Sequence, residues 1–289
     1  ADAGTTPPFN ALTRSRPSVA LDLKHPMGVA AARRLCARAD IVVEGFRPGV
    51  LERLGLGPEL LLADNPALVI GRATGWGQDG PLADTPGHDI NYISISGALN
   101  SIGAPGGPPV PPLMLVGDFG GGALYLAMGV LAALISARTT GRGQVVAAMA
   151  EGAASLMSLV YGLTAEGAWT DDARGRNMLD GGAHYYGVYE TADGKYVSIG
   201  ALEPQFHARL LQALELEPNA LGEQNDAARW PRNRERLAAI FRTRTRDEWT
   251  ALLQDAGVCF APVLSMAEAP EDWKYRSKSF ISYPLIVGT

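Results

Sequence analysis

The chain has 289 residues, with 25 Lys and Arg against 30 Asp and Glu and a formal net charge of −5, which argues against a nucleic-acid binder because phosphate contacts need a basic face. Hydrophobic residues make up 47% and charged residues 19%, enough to bury a large core in one or two domains and far from the disordered regime. Two cysteines, Cys36 and Cys259, stand far apart without a CxxC spacing, which excludes a disulfide framework and a zinc ribbon and fits a reducing, cytoplasmic compartment.

The four histidines, at positions 25, 88, 184 and 207, show no pair at metal-ligand spacing, so no metal is expected. The opening residues carry neither a secretion signal nor an initiator Met, and a processed or truncated start is expected. The longest nearly uncharged apolar stretch, 120–136, is punctuated by glycines and falls short of the roughly 18 residues of a membrane span. A buried helix is expected there, and no membrane span.

In chain order, residues 18–23 alternate toward a short strand, 27–39 form an Ala, Arg and Leu run at helical spacing, and 41–43 read as an apolar strand. A helix over 58–63 and a strand within 65–72 follow. Strand, helix, strand, helix, strand is the order of an α/β domain with a parallel sheet. From 71 to 112 the chain is rich in Gly, Pro, Ser and Asn, a loop length usually associated with function. Next come a helix opened by Gly117-Asp118-Phe119-Gly120-Gly121-Gly122, a strand over 144–148, and an apolar helix over about 150–165. Residues 168–182 have the composition of a linker. Beyond them, 185–190 and 196–200 flank an Asp193-Gly194 turn, a hairpin signal. Helical patterns over 203–214, 231–241 and 247–256 complete a second, smaller α+β unit.

Four segments place reactive or phosphate-seeking groups in Gly- and Pro-rich turns. The first, 44–53, follows directly on the strand 41–43, and ligands of open α/β sheets gather outside the carboxyl ends of strands. Arg47 and Arg53 there are candidates to hold phosphates, or else solvated arginines of an exposed turn. The second is Gly87-His88-Asp89-Ile90-Asn91-Tyr92, where His88 precedes a predicted helix start and is either a general base near neutral pH or a solvated loop residue. In the third, Asp118 competes between a functional role and a simple N-cap. Successive glycines there, each worth about 1 kcal/mol against a helix, point to something that must approach the backbone closely. The fourth is Glu203-Pro204-Gln205-Phe206, where a strand ends and Pro204 suits a first helical turn, leaving Glu203 as a boundary or a site residue.

Together with the run 72–78, these segments occur in the order found in the family III CoA-transferases, and the sequence resembles the alpha-methylacyl-CoA racemase branch of that superfamily from its first residues to about Phe280. The resemblance implies an α/β fold: a Rossmann-like, CoA-binding large domain over 1–167, a linker over 168–184, a small α+β domain over 185–270 and the start of a return linker over 271–289, in an interlocked homodimer. Against the family pattern, the chain starts after the first strand-helix unit and ends soon after Phe280. The resemblance also implies an isomerase of acyl-CoA lipid metabolism, which interconverts (2R)- and (2S)-2-methylacyl-CoA through an enolate. The matching catalytic residues are His88, Asp118 and Glu203. His88, held by Glu203, serves one face of the α-carbon and Asp118 the other. Backbone amides following His88, that of Asp89 included, meet the enolate oxygen. Arg47 and Arg53 would face CoA phosphates, and Tyr92 would line the pocket near the thioester. No cofactor is implied, since CoA is part of the substrate.

Two other readings stand beside this one. In a CoA transferase of the superfamily the aspartate matching Asp118 attacks a thioester and forms an acyl anhydride, but such enzymes generally lack both the His88 setting and the Glu203-Pro204-Gln205-Phe206 segment. An inactive CoA-binding or scaffold protein is the third reading. It draws on the segments missing at either end and on the stretch 145–151, which lacks an aspartate usual in the family. The implied dimer brings Glu203 to His88 and Asp118 across its interface. Met114, Met157 and Met178 are candidates for an adaptable acyl surface, with core packing as the plainer role. His25 and His207 read as solvated, His184 as a linker residue that could reach a pocket, and Trp169, Trp230 and Trp249 as packing residues.

Overall fold

The computed structural model describes residues 16–147 and 150–271. It forms two compact units, one spanning Ala20–Asp180 and the other built on the described residues from Gly181 onward. The end of the predicted strand at 148 and all but the first residue of the expected return linker lie outside the described residues.

The first unit starts with helix α1 (Pro26–Cys36), whose N-cap His25 accepts a hydrogen bond from the Met27 N–H through its ring. Residues 18–23, expected as a strand, form no ladder. Their alternation is the pattern of a strand, but among the described residues no neighbouring strand pairs with them. Strand β1 (Ile41–Glu44), helix α3 (Pro58–Asp64) and strand β2 (Val69–Arg72) follow as the pattern predicts, and the segment expected as a turn closes with one further short helix, α2 (Val50–Arg53). With β3 (Val145–Ala147) they form a parallel sheet in the order β1-β2-β3.

The central strand is buried on both faces, as parallel strands usually are. Leu68 and Ile70 pack with Leu51, Leu56 and Leu61 on one side, while Val69 packs with Leu126, Val130, Ala133 and Ala137 on the other. That two-sided core makes the unit a helix–sheet–helix sandwich.

The loop region after β2 contains two short helices, α4 (Asp89–Ile95) and α5 (Ala98–Ser101). The glycine-rich helix entrance begins at Leu115, before the expected Gly117, as a π-helical segment (Leu115–Leu124) in which the Phe119 N–H donates to the Met114 carbonyl. It runs on into α6 (Tyr125–Thr140). The continuous helix of 26 residues is, by length and composition, long and apolar enough to cross a membrane, contrary to the sequence expectation. It is also buried on one face only. Leu126, Val130, Ala133 and Ala137 face the sheet, whereas Leu124, Met128, Leu131 and Ile135 are 57% to 69% exposed.

The apolar stretch 150–165 is two helices, α7 (Ala150–Leu156) and α8 (Ser158–Ala165), interrupted at Met157. What approaches the glycines is α7. A Cβ on Gly121 would overlap the Ala153 backbone, and one on Gly152 would overlap the Gly121 carbonyl. Met157 packs with Ile93, Ala98 and Ala153, while Met114 and Met178 are exposed.

In the second unit β4 (Tyr186–Glu190) and β5 (Tyr196–Gly200) form the expected hairpin, with Gly194 at φ 71° in its turn. A third antiparallel strand, β6 (Phe260–Pro262), pairs with β5; three residues ending in proline gave no strand signal. Helices α9 (Pro204–Ala213), α10 (Trp230–Phe241) and α11 (Arg246–Leu253) pack their apolar residues into one core with this sheet. Trp230 and Trp249 lie in that core, and Trp169 is half-buried. His207, expected in solvent, is 6% exposed. It shares the i, i+3, i+4, i+7 face of α9 with Leu210, Leu211 and Leu214, the stripe a helix turns toward its core. His184 is fully buried beside it, with the two Nε2 atoms 3.2 Å apart.

Candidate active site

The carboxyl ends of β1 and β2 open into a cleft of about 640 Å³. Gly45, Phe46, Arg47 and Pro48 leave β1 along one wall, and Ala73, Thr74, Gly75 and Trp76 leave β2 along another. His88, Tyr92, Asp118 and Phe119 complete it. Ligands of parallel sheets collect in this position because strand ends leave a crevice rimmed by loops.

Buried charge organises the strand ends. Glu44 and Arg72 are nearest neighbours in the β1–β2 register. Arg72 donates from Nε to Glu44 at 2.6 Å and from Nη1 to Glu52 of α2 at 2.8 Å. The second Glu44 oxygen accepts the Phe46 N–H at 2.7 Å. The turn that carries Arg47 is thereby fixed to the sheet by charge-assisted bonds.

His88 is the N-cap of α4. Its N–H donates to the Asn91 side chain at 3.1 Å, and its carbonyl accepts the Asn91 N–H at 2.8 Å. The imidazole is exposed to the cleft. Tyr92, one turn on, is buried. Its hydroxyl donates to the Gly87 carbonyl at 2.5 Å, and its ring meets Trp76 edge-on at 4.9 Å. Burial raises the Tyr92 hydroxyl above its usual range, with the Asp118 and Asp89 carboxylates adding to the effect, so the ring stays neutral.

Asp118 lies in the first turn of the π-helical segment, half-buried on the cleft wall. Burial pushes its carboxyl above the ordinary range, the neighbouring Asp89 carboxylate adds to this, and His88 opposes it. A carboxyl raised this way keeps its proton more readily, which suits a group that must both take and return one. Asp89 itself is 7% exposed and is not part of the cleft lining. Its Oδ2 accepts the N–H groups of both Gly117 and Asp118 at 2.7 Å.

The structure thus brings His88, Asp118, Tyr92 and Arg47 together on one cleft. Arg53 borders a different recess, beside Leu23, Lys24, Val29 and Arg33. Glu203 is the exposed N-cap of α9 in the second unit. Trp76, Phe46 and Phe119 were not singled out as cleft residues in the sequence, and neither was the Glu44–Arg72 pair. Two opposite charges closing apolar strands were the available signal for that pair.

These features define an α/β protein with a histidine–carboxylate cleft at the carboxyl end of its parallel sheet. The chain belongs to CoA-transferase family III, which it matches over residues 1–284. It is 46% identical to the alpha-methylacyl-CoA racemase of Mus musculus over 94% of its own length and 72% of the relative's. It is 42% identical to that of Homo sapiens over 94% and 71%. Similarity to the beta subunit of the succinyl-CoA–L-malate CoA-transferase of Chloroflexus aurantiacus is lower, 36% over 70% of this chain and 50% of the relative. Among solved structures, Rv3272 of Mycobacterium tuberculosis superposes with a TM-score of 0.75 at 25% identity, covering 92% of this chain and 71% of the other. A family protein from Brucella suis gives 0.73 at 26% identity, covering 91% and 70%.

Proposed function

We propose that the protein racemises 2-methylacyl-CoA thioesters by moving the α-proton from one face to the other. The observation that carries this reading is the presence of His88 and Asp118, two groups able to exchange protons, on the walls of a single cleft. The alpha-methylacyl-CoA racemases at 42% and 46% identity support the same reaction. One group takes the α-proton, an enolate forms, and the other returns a proton to the opposite face. Either group leaves the reaction in the protonation state the other began with, so the reverse direction needs no resetting from solvent.

The α4 entrance supplies N–H groups that a helix leaves without internal acceptors, and the Asp89 N–H is assigned to the enolate oxygen. Arg47 on the cleft rim is assigned to a CoA phosphate, for which a guanidinium is well matched. Tyr92 and Trp76 shape the wall by the thioester. No cofactor is needed beyond the CoA that the substrate carries, and the two free cysteines support a reducing, cytoplasmic setting.

We assign the exposed apolar face of α6 to a second copy of the chain rather than to lipid, and Glu203 of that second copy to the orientation of His88. Support comes from the stripe Leu124, Met128, Leu131 and Ile135, spaced as a helix-packing seam. Light scattering should then give a dimer, and Leu131→Glu should dissociate it with loss of activity. An active monomer would overturn the shared site.

The reaction is tested by incubating one epimer of a 2-methylacyl-CoA in D2O and following deuterium uptake and epimer ratio together. Both should change in the wild type, and epimerisation should fall by about 100-fold or more in His88→Ala and in Asp118→Asn. CoA passing to a second acid without α-exchange would instead make Asp118 the nucleophile of a transferase.

A further inference from the structure

We propose that Asp89 is a positioning residue that locks the two proton-transfer groups into one rigid unit, its buried carboxylate pinning the Gly117–Asp118 backbone from the helix turn that carries His88. The proposal rests on the racemase reading for the roles of His88 and Asp118, and on geometry for the link between them.

A π-helical segment leaves its first N–H groups without acceptors inside the helix, more of them than an α-helix does. Here the segment opens at Leu115, and two of those groups, on Gly117 and Asp118, converge on the single Oδ2 of Asp89 at 2.7 Å. Asp89 stands at the first position of α4, next in sequence to His88. One carboxylate therefore joins the turn that bears the histidine to the turn that bears the aspartate, across 28 residues of chain.

Glycine at 117 is what lets the carboxylate come this close, since a Cβ there would lie 2.8 Å from Oδ2. The other oxygen, Oδ1, is buried and has no hydrogen-bond partner among the described residues. An ordinary N-cap residue serves its own helix; Asp89 instead uses its one bonded oxygen to serve a different helix. The reason to bury a charge in this way is found beside it, where Asp118 must change protonation in each turnover.

The groups facing Asp118 are Asp89 and His88 at the α4 entrance and Tyr92 on the next turn. The charged residue of α7, which packs on the same segment, is Glu151, and it lies beside Gly77. Asp89 adds negative charge next to Asp118 and so favours its protonated form. Position and proton affinity are thus set by the same side chain.

The two functions are separated by two variants of the full chain. Asp89→Asn keeps an oxygen that can accept from both amides, so the backbone link is retained while the charge goes. Asp89→Ala removes both. Asp118, labelled with 13C at its carboxyl carbon, is titrated by NMR in each folded protein, and α-proton exchange is measured alongside.

In Asp89→Asn the Asp118 titration and the acid limb of the exchange profile should move to lower pH, with kcat within about tenfold of wild type. In Asp89→Ala kcat should fall about 100-fold with little change in KM, the loss expected for a base displaced by about 1 Å. An Asp118 titration in Asp89→Asn that superposes on wild type, or an Asp89→Ala protein with wild-type kcat, overturns the proposal. If wild type shows no α-exchange, the racemase reading falls, and the Asp118 titration still decides whether Asp89 controls that carboxyl.

Discussion

Glu44 and Arg72 face each other as register partners at the ends of β1 and β2, and their buried side chains meet at 2.6 Å. Arg72 also reaches Glu52, but that carboxylate is 43% exposed, whereas Glu44 is 4%. The two contacts have similar lengths and very different surroundings, so their energetic weights differ. Removing Glu44 leaves a buried guanidinium with one solvent-screened partner; removing Glu52 leaves the buried pair intact.

Glu44→Ala should therefore lose about 3 kcal/mol, the penalty for breaking a buried pair. Glu52→Ala should lose at most about 1 kcal/mol. Because the chain has two compact units, the change is read locally, by native-state hydrogen exchange at the amides of β2. Equal protection losses in the two variants would contradict the difference in burial.

Asp118→Asn should stabilise the folded protein at neutral pH while stopping epimerisation. A carboxyl whose folded pKa is raised contributes stability below its unfolded pKa and loses it as pH rises through the folded pKa. At pH 7 the ionised group opposes folding, and the amide does not. Thermal melts should show the gap between variant and wild type closing as the pH is lowered toward the ordinary carboxylate range of about 4. A gap that is constant with pH would show that ionisation of Asp118 carries no folding cost.

The His184–His207 pair predicts acid sensitivity in the second unit. Burial, then the charges of His207 and Arg234, push His184 down to about 4, and burial lowers His207. The unfolded chain binds these protons first, so stability is full above the unfolded value near 6.5 and is lost as pH falls toward 4. His184 alone accounts for about 3 kcal/mol over that window. His184 Nδ1 is buried without a partner among the described residues, and an orphaned N–H is rarer than an orphaned acceptor. His184 should thus carry its proton on Nε2 and donate to His207. Urea midpoints between pH 7 and 4.5 should fall steeply in wild type and less so in His207→Phe, and 15N shifts should place the His184 proton on Nε2.

Gly121→Ala should destabilise by about 1–3 kcal/mol, the range for overpacking. The added methyl would overlap the Ala153 backbone, so α7 must move away from the segment that bears Asp118. Epimerisation should fall with it. Gly141→Ala offers no steric conflict, only strain from a φ of 70°, and should leave the reaction unchanged.

Periodicity located the parallel sheet, the hairpin and the helices of the second unit because each is amphipathic or apolar over enough residues to show a period. It missed β6, whose three residues carry no period, and made a strand of 18–23, where alternation met no partner strand among the described residues. His207 looked solvated by residue type, although its spacing from Leu210, Leu211 and Leu214 already placed it on the buried face of α9. At the cleft, the motifs marked His88, Asp118, Tyr92 and Arg47. The carboxylate of Asp89 was illegible, because its partners are 28 and 29 residues away and are backbone atoms.

The glycine run at the start of the long helix limits how this cleft can be altered. Its bare backbone receives α7 on one side and the Asp89 carboxylate on the other, so larger residues at 117 or 121 meet protein instead of reaching the cleft. Retuning acyl-chain preference has to proceed from the exposed aromatic side chains of the cleft, Phe46 and Phe119, 44% and 47% exposed. Libraries built on those two positions should yield folded variants with changed chain-length selectivity, while libraries on the glycines should yield mostly insoluble protein.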